Sequence, residues 1–370
     1  MRNVGFLGRR CPQLLFALSA VPALWALDPK LAITQYAHAI WTTANGLPQN
    51  SVRSIAQTTD GYLWMATQNG LARFDGVSFT VFNSQNTPGW ICDRIAALVA
   101  GSDGTLWIGT VGEGVVRYKD GRFTGLPGTE KLPDRNVRAL HIGAGGAVWI
   151  GTELGLAKYQ DGKLATIFSG PKTKAHVHCL AEYPAGTMWA GTNAGLAKLE
   201  GPSLTTYTTR DGLPGNSIWS IAPGKDGEIW VGSRPGGLSV LRNGRFHTYT
   251  TRDGLTHNAV TALRTDRDGN LWIGTDGGGL NRYYRGKFTS YQTREGLPNQ
   301  VVRSIFEDQE GSIWLGTAGG GVSQIKDSPF TVRSMREDMP SDVVRSIYQD
   351  RWGSIWLGTG NGPARIVDGR

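Results

Sequence analysis

The sequence predicts an all-β protein in which one four-stranded antiparallel unit is repeated, and three observations predict it. A tryptophan recurs at Trp64, Trp107, Trp149, Trp189, Trp230, Trp272, Trp314 and Trp356. Paired turn residues, mostly Asp-Gly, punctuate each copy twice. Gly numbers 52 of 370 residues and Trp 13, while charged residues make up only 18%. The tryptophans stand 40 to 43 residues apart, a regularity that unrelated segments would not keep, so one unit recurs. The composition suits a folded chain of tight turns and buried aromatics and excludes a disordered one.

Each copy divides at its turns into four short segments, "SVRSIAQTTDG", "YLWMATQNG", "LARFDG" and "SFTVFN" in the first, which read as strands a, b, c and d. Asp60-Gly61, Asp103-Gly104, Asp226-Gly227 and Asp268-Gly269 mark the a–b turns. Asp75-Gly76, Asp120-Gly121, Asp161-Gly162 and Asn243-Gly244 mark the c–d turns. A two-residue hairpin needs positive φ, which these residues adopt at least cost. A single such blade has two apolar faces and cannot bury them alone, so the copies must stack. Radial closure gives a β-propeller, for which a period near 42 residues is right; an open solenoid has shorter rungs without paired hairpins. The aligned tryptophans are then core residues, since each buries roughly 150–250 Å². The Gly-Thr after them, as in Gly109-Thr110 and Gly274-Thr275, permits close backbone approach.

Ahead of the first copy, "AHAIWTTANGLPQN" resembles the later d strands and their exits, "TTYTTRDGLPGN" and "TSYQTREGLPNQ". An N-terminal d strand completing the last blade would remove an exposed edge. After the seventh copy, "VSQIKDSPFTVRSMREDMPSDVV" loses both the usual turn and the "GLP" that follows strand d, as a second such strand would. Residues 27–328 are therefore expected to form a seven-bladed propeller, with 329–370 the first blade of a second, truncated one. The alternative is a single ring of eight, with 329–370 as its last blade.

The first 26 residues read as a signal peptide: Arg2, Arg9 and Arg10 precede the apolar run "LLFALSAVPALWAL", with no acid before Asp28 and small-residue sites at Ala23 and Ala26. Export to the periplasm follows as the expected localisation. Removing that segment lowers the formal charge from +8 to +5. The remaining charge is spread along the chain without a Lys/Arg-rich run, which argues against nucleic acid and favours an anionic ligand. Cys92 and Cys179 occupy different repeat positions, so a disulfide is not indicated.

Strand parity places the a–b and c–d turns on one face and the d–a and b–c loops on the other. The second face varies between copies, as a ligand reader should. Its d–a loops carry Trp90, His176 and His257, and its b–c loops carry Glu113, Glu153, Arg234 and Asp276. Eleven residues before each core tryptophan, near the same end of inner strand a, stand Arg53, Ala96, Arg138, His178, Trp219, Thr261, Arg303 and Arg345. Closure of seven blades would gather three Arg, a His and a Trp in one mouth. Arg makes bidentate charge-assisted contacts with carboxylate, sulfate and phosphate, and Trp stacks on sugar faces. The competing role for these arginines is pairing with an acid of a neighbouring blade. The ligand candidates are therefore Arg53, Trp90, Arg138, His178, Trp219, Arg303, Arg345, Glu113, Arg234, His257 and Asp276.

No metal site or cofactor is expected. "HVHC", from His176 to Cys179, lacks the further ligands a structural zinc site needs. No phosphate-cradling loop, "HExxH" or "GxSxG" pattern occurs, so no catalytic residues are assigned. A propeller enzyme acting on glycans, like a lyase or hydrolase, is the rival reading, and an interaction scaffold the third. The "DGxxW" turns superficially resemble sialidase Asp-boxes and the repeats of streptogramin lyase-like propellers, although the Asp here is adjacent to the Gly.

The stretch "GLPQNSVRSIAQTTDGYLWMATQNGLARFDGVSFTVF" resembles the two-component regulator propeller repeat, and its elements recur in fixed order from about residue 36 to 370. In that family tandem propellers form the periplasmic sensor of membrane-bound histidine kinases, hybrid kinases or diguanylate cyclases, and some members bind glycan fragments. The resemblance implies a sensor for a small-molecule or oligosaccharide ligand, joined to the remainder of a membrane-bound receptor and able to homodimerise in full-length form. These residues contain no output-domain signature, which puts any enzymatic output outside them.

Overall fold

A computed structural model describes residues 27, 31–169, 176–225, 227–328 and 339–367. Among them seven four-stranded antiparallel sheets follow one another along the chain. Their inner strands are Ser54–Gln57, Ile95–Ala100, Val137–Ile142, Val177–Glu182, Ile218–Pro223, Val260–Thr265 and Val302–Glu307. Each packs on the inner strand of the next sheet, and the last returns to the first. The succession closes on itself as a β-propeller, with strand a nearest the axis.

The sheet that closes the circle is assembled from both ends of the sequence. Val302–Glu307, Ile313–Thr317 and Val322–Lys326 take Ala37–Trp41 as their fourth strand, in register from Ala37 opposite Lys326 to Trp41 opposite Val322. Trp41 stacks on Trp314 at 5.2 Å and meets Phe74 of the first sheet edge-on at 5.1 Å. The N-terminal strand thus seals the ring through aromatic contacts as well as backbone pairing. Just before it, Tyr36 accepts a buried hydrogen bond from Arg282 Nη1 of the sixth sheet at 2.8 Å.

Packing between sheets explains the repeated tryptophan. Trp314 lies in one cluster with Leu63, Met65 and Phe74 of the first sheet, and Trp230 in another with Leu271 and Ile273 of the sixth. Trp64 and Trp272 are wholly buried. Burial on that scale contributes on the order of 5 kcal/mol of gross transfer energy per ring, an upper bound set by an extended reference chain. Each indole N–H needs an acceptor inside. Trp272 and Trp314 donate to Asp266 and Asp308 at 2.7 Å, two residues ahead of the turn Asp or Glu, and Trp64 donates to Thr58 at 2.9 Å. The Gly after the tryptophan is where neighbouring sheets come closest: a Cβ added to Gly109 or Gly151 would stand 2.6 Å from a Val137 or Val177 methyl of the next sheet.

The two turn classes differ more than the sequence suggests. In three c–d hairpins both residues take positive φ, 50° at Asp120, Asp161 and Asn243, each followed by Gly, as two-residue turns require, whereas at Asp75-Gly76 only the Gly is left-handed and Asp75 instead accepts the Val77 and Ser78 N–H groups, so the expectation is corrected there. The a–b connections are longer loops in which only Gly is left-handed, Gly61 at 88° and Gly104 at 79°, so the expectation of two-residue hairpins there is corrected. Their Asp serves as a side-chain acceptor instead: Asp103 receives the Thr105 N–H at 3.1 Å and hydroxyl at 2.8 Å.

Beyond the ring, Val344–Gln349, Ile355–Thr359 and Gly362–Ile366 form a separate three-stranded sheet. Leu357 is buried, but others of its apolar residues stay in the open, with Ile347 70% and Tyr348 67% exposed. The expected leader, Trp25, Asp226 and the expected second d strand around 329–338 lie outside the described residues.

Candidate functional site

A register break opens the inner strands of the second to seventh sheets. Pairing jumps from Ile95 to Ala97, Val137 to Ala139, Val177 to Cys179, Ile218 to Ser220, Val260 to Ala262 and Val302 to Ser304. The skipped residue in each case is the one eleven places before the core tryptophan. A β-bulge re-aims the side chain of its extra residue, and here it delivers Ala96, Arg138, His178, Trp219, Thr261 and Arg303 to one cavity of about 380 Å³. Arg53 joins them from the residue just before its strand, its N–H bonded to Ala66 O at 3.0 Å. One side chain from every sheet therefore meets at the mouth.

Strand pairing supplies a second row. Thr152 pairs with Val137, so the following Glu153 lies beside Arg138, which donates to its Oε1 from Nε at 2.9 Å and from Nη2. Ser233 pairs with Ile218, so Arg234 reaches Trp219, its guanidinium 5.1 Å from the ring centroid. Arg234 is anchored in turn by Asp276 of the sixth sheet, 2.5 Å away. On Trp219 the imidazole of His178 lies nearly parallel at 4.5 Å, and the indole N–H donates to Ser217 Oγ at 2.9 Å. With two partners on its ring, Trp219 is a built wall of the mouth and less a platform open to a sugar.

Charge is distributed unevenly round this mouth. Arg53 and Arg303, on adjoining sheets, form no ion pair among the described residues. Burial, and then the like charges of Arg138, Arg303 and Arg94, lower the Arg53 guanidinium from its ordinary value. Burial, with the charges of His176 and Arg138 beside it, lowers His178 to about 4, so its ring is neutral at neutral pH. The mouth can therefore hold an anion by two guanidiniums, with an uncharged aromatic wall opposite.

Five of the candidates, Arg53, Arg138, His178, Trp219 and Arg303, line this cavity, and Arg234 and Asp276 buttress it. The remaining four lie elsewhere. Trp90 packs edge-on against Phe123 at 4.8 Å, in the core cluster between the first two sheets, because its loop folds back through Asn83, Asn86 and Asp93 hydrogen bonds. Arg345 belongs to the separate three-stranded sheet. Glu113 is exposed at a loop tip, and exposed His257 receives the Ala259 N–H at 3.1 Å. Glu153 and His176 complete the lining. Glu153 follows Thr152, the last strand-b position, which pairs with Val137 next to Arg138.

Two component regulator propeller repeats match residues 46–69, 212–234, 254–277, 296–319 and 338–361. Among solved structures, the chain is similar to the extracellular domain of the hybrid two component system BT3049 from B. thetaiotaomicron, at 24% identity and TM-score 0.74, over 90% of this chain and 48% of that one. It spans about half the length of that domain. It is also similar to streptogramin B lyase, at 17% identity and TM-score 0.64, over 80% of this chain and 99% of that one. Virginiamycin B lyase from Staphylococcus aureus with quinupristin gives 14% identity and TM-score 0.64, over 79% and 99%. At these identities the likeness is one of fold. No curated protein matches the chain significantly.

Proposed function

The chain carries two-component regulator propeller repeats, and from that premise we propose that it is the ligand-sensing part of a periplasmic signal receptor. The ring binds a small or oligomeric anionic ligand, a glycan fragment or a similar molecule, at its arginine-rich mouth, and the rest of a membrane-bound receptor converts occupancy into output. The observation that carries this reading is the pair Arg53 and Arg303, which line one cavity with no acidic partner among the described residues. Uncompensated guanidiniums in a concave, partly dry site favour an incoming anion, and one bidentate pair supplies orientation as well as energy.

Calorimetric titration with a panel of uronates, sulfated sugars and simple organic acids tests it. Saturable binding that weakens with salt, and falls about tenfold or more in Arg53→Gln and in Arg303→Gln, is the expected result. Binding indifferent to both substitutions would remove the mouth as the receptor site. The lyase-like folds give the enzyme reading its footing, and that reading requires turnover. Product formation from any panel member, lost in His178→Ala, would replace sensing by catalysis.

A further inference from the structure

The arginines of the mouth are not equivalent. Arg138 is committed to Glu153 through two donors, whereas Arg53 and Arg303 have no acidic partner among the described residues. Between Arg53 and Arg138 stands Ala96, which has no polar side-chain atom. Glu153 lines the same cavity with its side chain 27% exposed, and Arg138 engages only its Oε1. A carboxylate is therefore built into a site otherwise arranged for anions.

Resting on the sensing reading above, we propose that Glu153 is the specificity-determining residue of the mouth: it reserves Arg138 and restricts the ligand to one anionic group, held by Arg53 and Arg303. A ligand with closely spaced anions would bring its second charge toward Arg138, where Glu153 already sits. Like charges at that separation in a partly desolvated cavity repel strongly, and expelling Glu153 would strand its half-buried charge without a partner. Selectivity by such a built-in repulsive group needs no added contact to the favoured ligand. The favoured class is a molecule with a single carboxylate or sulfate on an otherwise neutral, hydroxyl-bearing body.

Titrating the full chain with glucuronate, which has one anionic group, and with inorganic tripolyphosphate, a compact run of anions, tests this. The wild-type protein should prefer glucuronate. Glu153→Gln should raise tripolyphosphate affinity at least tenfold more than it raises glucuronate affinity, reversing the wild-type preference, and Glu153→Ala should act in the same direction. Unchanged tripolyphosphate affinity in both variants, with glucuronate binding still dependent on Arg53, would overturn the role of Glu153 and leave the mouth intact. Absence of Arg53-dependent binding for both probes would overturn both readings together, and Arg53-dependent binding of tripolyphosphate in preference to glucuronate would overturn the role of Glu153 alone.

Discussion

The same words are written in two places and fold to different ends. "VVRSI" and "GSIWLGT" occur at 301–305 and 311–317, in the sheet that closes the ring, and again at 343–347 and 353–359, in the three-stranded sheet. Locally the copies agree. Both break register, at Val302/Ser304 and at Val344/Ser346, and both tryptophans donate to an Asp six residues earlier, at 2.7 and 3.0 Å. Yet Trp314 is 2% exposed and Trp356 is 40% exposed. Hydrogen bonding and register are thus settled inside one repeat. Burial and site formation come from the neighbouring sheet.

Substituting each copy in turn can break or sharpen that distinction. Trp314→Ala should destabilise the ring by about 3–5 kcal/mol in urea unfolding, because its cavity would open between two sheets, whereas Trp356→Ala should leave the ring transition in place. Glycine gives the next contrast. A Cβ at Gly316 would stand 2.6 Å from Val52 O of the first sheet, but at Gly358 it would meet only Ser346 of its own sheet. Gly316→Ala should therefore lower ring stability by about 1–3 kcal/mol, and Gly358→Ala by much less, in the same assay.

The arginine pair tests function. Arg303→Gln should cost about tenfold in ligand affinity, or roughly 1.4 kcal/mol, while Arg345→Gln, outside the mouth, should leave it unchanged. Equal losses would mean that the three-stranded sheet takes part in binding. The smallest effect is a titration. Trp356 N–H, then the Ser354 and Trp352 backbone N–H groups, hold the Asp350 carboxyl below the usual carboxylate range. A depressed folded pKa confers stability that is complete above the unfolded value and lost as pH falls through the folded one. NMR titration should therefore find the Asp350 midpoint below that of an ordinary aspartate, moving up in Trp356→Phe.

Much of this was legible in the chain itself. Tryptophan spacing located the sheets, and glycine marked the turns, because both depend on contacts that recur identically in every copy. The position eleven before the tryptophan picked out the mouth, although its physical cause, a β-bulge, has no residue signature: Ala96, His178 and Arg303 all occupy it. Trp90 misled because its loop has no counterpart in the other repeats, so no alignment could say that its ring turns toward Phe123. Arg345 shares its local sequence with Arg303 and differs only in what stands beside it. The guard at Glu153 emerges from strand register, which a count of residues types cannot supply.

The strand Ala37–Trp41 leaves the ribosome early but finds its partner Val322–Lys326 only after roughly 290 further residues have been made. Before that pairing the seventh sheet has a bare edge at Val322–Lys326, and Trp314 lacks the ring of Trp41 that stacks on it. Assembly therefore has a late, all-or-none clasp, and every incomplete product advertises itself to chaperones and proteases by the same unsealed seam.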